Sequence, residues 1–155
     1  MFSPSRPNHP STMTKIHRDI MAQSDNPVPS IEHIFRETLA VHKRIHKDLS
    51  AGSDLTHAAH QLGEVQSAFF GDLDRLERSN RAKCQLLQSD AQRAKEIVDF
   101  AKGRFDLYHY AELDHIERLE RGASAKEAEE VYRETKSNIA SNFKERSLQR
   151  IWQSM

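Results

Sequence analysis

LTHAAHQLGEVQSAFFGDLDRLERSNRAKCQLLQSDAQRAKEIVDFAKGRFDLYHYAELDHIERLER, residues 55–121, runs for 67 residues without a proline. From Leu87 onward one side of it is a strict four-three alternation: Leu87, Ala91, Ala94, Val98, Ala101, Phe105, Tyr108, Glu112, His115 and Leu119. That spacing draws a single stripe down an α-helix and is the pattern of a long packing seam. Upstream, Leu62, Val65, Phe69, Leu73 and Leu76 keep a slightly different phase. The slip falls at Ser79-Asn80-Arg81, where polar residues occupy the stripe, so a kink or a short break is expected there.

The flanks extend the helical reading. Ser30 can cap a helix from Ile31 to about Ser50, with Ile34, Phe35, Leu39, Val41, Ile45 and Leu49 on its apolar side. Gly52 and Gly122 suit left-handed stops, and Ser124 with Glu127 reads as a capping box opening a last helix from Ala125 to about Gln153. All five prolines lie in the first 29 residues. Since proline breaks helix interiors, residues 1–29 read as a flexible N-terminal arm and 30–155 as the helical domain. Within the arm, Met13, Ile16, Ile20 and Met21 offer at most a short amphipathic turn. The fold class is all-α, with long amphipathic helices in an elongated bundle or a coiled-coil dimer.

As one helix, residues 55–121 would extend ~100 Å at ~1.5 Å per residue, more than its shorter neighbours can cover. Either the segment folds back near Ser79-Asn80 to make a four-helix bundle, or its seam, Leu87, Val98, Phe105, Tyr108, Glu112, His115 and Leu119, meets a second copy. The expectation is a homodimer through that seam.

Composition narrows function. There are 23 Lys+Arg against 23 Asp+Glu, so excess positive charge for coating nucleic acid is lacking, and no nucleic-acid partner is expected. With a mean hydropathy of −0.77 and no long apolar run, neither a spanning helix nor a secretory signal is expected. A single cysteine, Cys84, rules out an internal disulfide and suits a reducing, cytoplasmic setting. No nucleophile elbow, phosphate loop or zinc-protease motif occurs, so no enzyme activity and no catalytic residue are expected.

Nine histidines require metal binding to be weighed. His42 and His46 share a helix face, His60 and Glu64 are four apart, and His109, Glu112, Asp114 and His115 cluster within seven residues. Such spacings suit ligands projecting into a bundle core. A hemerythrin-like order would need His-x-x-x-Glu before His-x-x-x-His, and a ferritin-like set would need two Glu-x-x-His motifs; the chain offers neither. The expectation is therefore no metal and no cofactor, with Glu112 and His115 setting the register of the seam. A locally basic surface, Arg75, Arg78, Arg81, Lys83, Arg93 and Lys95, is the candidate face for an acidic partner or an anionic lipid surface.

LAVHKRIHKDLSAGSDLTHAAHQLGEVQSAFF, VDFAKGRFDLYHYAELDHIERLE and AEEVYRETKSNIASNFKER together resemble, in part, the BAR domains at the C-terminus of sorting nexins, without a preceding PX domain. The points of resemblance are Leu62-Gly63, Arg104 to Tyr110, and Tyr132 to Arg146. The resemblance implies dimerisation and peripheral binding to curved, anionic membranes. The function expected is thus a non-enzymatic, BAR-like scaffold. The alternatives are a small adaptor, chaperone or regulator that binds another protein and, behind it, a metal-binding helical bundle enzyme.

Overall fold

The computed structural model describes residues 26–83 and 88–154. They form α1 (Val28–Ser50), α2 (Leu55–Lys83), α3 (Gln88–Glu120), α4 (Ala125–Glu145) and the short α5 (Leu148–Ser154). Most of the ends follow from the sequence. The Asn26 side chain accepts the Val28 amide at 2.9 Å, so α1 begins at Val28 rather than Ile31. Pro29 does not prevent this, because a first-turn amide needs no helical partner. Gly52 and Gly122 hold φ of 103° and 95°. At each stop the glycine amide reaches back three residues and the next amide five, which satisfies carbonyls the helix leaves open. Asp54 and Ser124 cap α2 and α4 by accepting the amides of His57 and Glu127.

Two expectations about breaks change. Ser79-Asn80 does not break the helix, which continues to Lys83: Asn80 is buried and its amide donates to the Leu76 carbonyl at 2.9 Å, so the polar side chain is absorbed within α2. The last helix, by contrast, does break. Ser147 accepts the Arg150 amide at 3.1 Å and starts α5, which lets Leu148 bury itself in the core. Leu87, Cys84 and the apolar residues Met13, Ile16, Ile20 and Met21 lie outside the described residues.

The long segment folds back. Phe69 stacks on Phe105 at 4.3 Å between ring centroids, and Lys102 reaches Asp74 at 2.9 Å, so α2 and α3 are antiparallel neighbours. Contacts of Tyr132 with Glu112 and of Phe143 with Tyr108 set α4 antiparallel to α3. The result is an up-down-up-down bundle. Of the expected seam, Val98, Phe105, Tyr108, Glu112 and His115 are buried and Leu119 is partly so. The chain's own helices cover that stripe, which is the fold-back outcome of the two left open by the sequence. Among the described residues no helix is long and apolar enough to cross a membrane.

The interior is layered. Phe35, Phe69 and Phe105 form an aromatic layer, joined by Ile31, Leu73, Ile97 and Val98. Ile45, Ala58, Leu62 and Ile116 form a smaller apolar cluster toward the other end. Polar side chains from α1, α3 and α4 lie along the same stretch of the bundle. The Phe69–Phe105 contact joins the two halves of the fold-back, so the pair should couple in a double-mutant cycle. With Phe69→Leu and Phe105→Leu the expected coupling is ~1 kcal/mol in chemical denaturation. Independent, additive effects would contradict the antiparallel register.

Candidate metal centre

His42 and His46 lie on one face of α1 because four residues are close to one helical turn. On α3, His109, Glu112 and His115 recur every three residues, and on α4 Glu129 and Tyr132 do the same. The bundle turns these three faces toward one another. Histidine and carboxylate side chains here are among the most enclosed of the molecule: His42, His109, Glu112 and His115 are buried, Glu112 with only 2% exposed.

His46 is the hub. Its Nε2 lies 2.7 Å from Glu129 Oε1, and its Nδ1 faces Glu112 Oε1 at 3.8 Å. That Nδ1 is buried and has no hydrogen-bond partner. One face of the ring stacks on Tyr132 at 3.8 Å and 10° between planes, and His115 approaches at 4.5 Å. The Tyr132 hydroxyl donates to Glu112 Oε2 at 2.7 Å. Lys136 donates to the Tyr132 hydroxyl at 3.3 Å and sits 3.8 Å from the Glu112 carboxylate. The His115 Nδ1 lies 3.3 Å from the Ala128 carbonyl. A carbonyl only accepts, so Nδ1 carries the proton and Nε2 keeps its lone pair.

Burial governs the protonation of this interior. It drives the His42 pKa down from 6.5 to about 3, with the neighbouring His109 and Lys136 charges adding to the effect. Burial also lowers His109, and it lowers His115 with help from His46. Burial pushes the Glu112 carboxyl up to about 7, against the Tyr132 hydrogen bond and Lys136. For Glu129, burial works to raise the pKa, but hydrogen bonds from His46 and Arg133 outweigh it and hold the carboxyl below its usual range. The Tyr132 hydroxyl is pushed up, first by burial and then by Glu112.

His46, His115 and Glu129 each offer one ligand atom, and the three atoms lie within 4.8 Å of one another. Two imidazoles and one carboxylate from three helices are a donor set for first-row transition ions. Around a tetrahedral ion at ~2.0–2.1 Å, donors stand roughly 3.3 Å apart, a contraction within reach of side-chain rotation. The surroundings resemble an outer ligand shell. Metal-bound histidines usually donate their second nitrogen to a carbonyl or carboxylate. Here His115 does so to Ala128, and His46 has Glu112 in front of its Nδ1. A cleft of about 460 Å³ between α1, α3 and α4 is lined by all three candidate ligands.

The other expected site residues are placed differently. His60 and Glu64 form an exposed pair on α2, and Asp114 pairs with Arg118 at 2.7 Å, so neither joins the cluster. Of the basic surface, Arg75 and Arg81 pair with Asp72 and Glu77. Lys95 pairs with Asp99 at 3.1 Å, and Arg93 packs over Trp152 near Asp90. Arg78 is exposed, and the Lys83 side chain is not among those described. Nearby carboxylates therefore cancel much of the positive field of that surface. Sequence reasoning missed Glu129, Tyr132 and Lys136. Their spacing along one face of α4 was visible, but nothing in the sequence ties that face to Glu112. No family model, no curated protein and no solved structure matches the chain.

The buried imidazoles set a pH dependence. Unfolded His42 titrates near 6.5 and folded His42 near 3, so its contribution is complete above 6.5 and lost as pH falls toward 3. His109 and His115 act in the same direction. Glu112 opposes them: its contribution is present below 4.5 and lost as pH rises through about 7. With three imidazoles against one carboxyl, the denaturation midpoint of metal-free protein should fall on acidification below pH 6.5. His42→Leu should flatten that fall, and an unchanged slope in this variant would contradict the assignment.

Proposed function

We propose that this protein is a metal-binding helical bundle that holds one divalent transition ion at His46, His115 and Glu129. The observation that carries the reading is the convergence of these three donors, from three helices, to within 4.8 Å at a solvent-reaching cleft. Two further features support it. The protonated Nδ1 of His115 leaves its Nε2 as a donor, and the otherwise unpartnered His46 Nδ1 faces Glu112. Three protein ligands leave a coordination position open, the arrangement of ions that bind an exogenous ligand. Glu112, Tyr132 and Lys136 act behind the ligands: Tyr132 stacks on His46, Glu112 faces its Nδ1 and supplies the negative charge that an ion calls for, and Lys136 holds the Glu112–Tyr132 pair in place.

The test is zinc and cobalt binding by calorimetry on chelator-treated protein, with metal content measured after dialysis. One equivalent is expected. Glu129→Gln, at a half-buried position, should weaken binding at least ~10-fold, and Glu112→Gln about 10–100-fold through His46. Metal should also raise the thermal midpoint of the native protein, and chelator should reverse the rise. Circular dichroism establishes that each variant is folded. Absence of binding in the native protein, or equal binding by folded Glu129→Gln and His115→Gln variants, would contradict the proposal.

A further inference from the structure

The cleft over the three candidate ligands has a charge of its own. Besides them its lining includes Lys126 and Arg133, and Glu129 is the one carboxylate on it. Arg133 donates its Nε to Glu129 Oε2 at 2.9 Å while its side chain remains 78% exposed. Lys126 is exposed and makes no ion pair among the described residues. A divalent ion on Glu129 would bring the cleft to a net charge of +3, counting the ion, the two basic side chains and the one carboxylate. Such a concentration of charge at a partly desolvated floor favours an anion strongly over water.

The walls narrow the class of anion. Leu49 and Leu119 also line the cleft, and both are partly buried. Its volume of about 460 Å³ is that of a small-molecule site, larger than a halide or a water requires. An inorganic oxyanion would answer the charge and leave the two leucines wet. A carboxylate with a short apolar chain answers both.

We propose that the cleft binds a small organic carboxylate, which takes the open position on the metal, lies beside Lys126 and Arg133, and rests its chain on Leu49 and Leu119. This inference rests on the metal-centre reading. It adds the class of ligand and assigns Lys126 and Leu119 to its recognition. No covalent step is involved; the carboxylate displaces water.

The test uses the full chain loaded with cobalt(II), whose visible bands report a change of ligand. Butyrate, acetate and inorganic phosphate are titrated separately at constant ionic strength. Butyrate is expected to shift the bands saturably and to bind more tightly than acetate or phosphate. Lys126→Gln should weaken all three anions by about two- to fivefold with cobalt stoichiometry unchanged. Leu119→Ala should reduce the preference for butyrate over acetate. Cobalt bands that ignore butyrate, or that respond more tightly to phosphate, would overturn this inference and leave the metal centre standing. So would a butyrate response untouched by both substitutions. Failure of cobalt to bind at all would overturn both.

Discussion

A carboxyl group in the middle of a helical bundle constrains everything around it. Glu112 is 2% exposed, and burial of an isolated carboxylate costs several kcal/mol unless it is protonated, paired or hydrogen-bonded. The chain answers with the Tyr132 hydroxyl at 2.7 Å and Lys136 at 3.8 Å, both from α4. That requirement fixes the height of α4 against α3, since a shift by one turn would leave both Glu112 and the tyrosine hydroxyl without partners. It also fixes α1, because His46 has to lie flat on Tyr132 while its two nitrogens face Glu129 and Glu112. The apolar layers supply most of the burial, but they tolerate sliding better than the polar one does. We propose on these contacts that the polar layer specifies the register, as a polar position in a coiled-coil seam does.

Stability and site are linked through the aromatic layer. Phe105 stacks on Phe69 and also on the His42 and His109 rings. The two imidazoles meet at 3.3 Å, with the remaining His42 nitrogen buried and unpartnered. His42 is thus held neutral by its surroundings, a thermodynamic cost met by the packing of α1 on α2 and α3. Toward the cleft the surroundings become wetter: His46 and Glu129 are only partly buried, and an ion could reach them without the core opening.

How legible all this was in the sequence depends on where the information lies. The helices and their stops were readable because capping and left-handed glycine are local chemistry, as at Gly52, Gly122 and Ser124. The seam from Val98 to His115 was readable because periodicity reports burial. Periodicity does not say what does the burying, which is why the covering of the seam by the same chain could not be chosen over a second copy. The fold-back expected near Ser79-Asn80 falls a few residues on, between Lys83 and Gln88, since a buried Asn that bonds the Leu76 carbonyl has the same letter as one that breaks a helix. The site was half legible. His42, His46, His109, Glu112 and His115 stood out by type and spacing. Glu129, Tyr132 and Lys136 did not, because their role exists only once α4 lies antiparallel to α3. Chain-order comparison with known carboxylate–histidine sites pointed away from a metal because such an order describes one topology, whereas the centre proposed here depends only on where the donors meet.

Under the proposed reading, the two imidazoles, the ionised carboxylate and the second, buried carboxyl of the polar layer serve an ion rather than a partner helix. The charged surface of α2 and the start of α3 is largely self-paired, so the concentrated electrostatics of this molecule lie inside it. The most direct measurement is X-ray absorption at the zinc edge on protein loaded with one equivalent. The account predicts a first shell of two imidazole nitrogens and light oxygen donors at ~2.0–2.2 Å, with one imidazole lost in His115→Gln. A shell of water oxygens alone, or a native spectrum unchanged in His115→Gln, would contradict it.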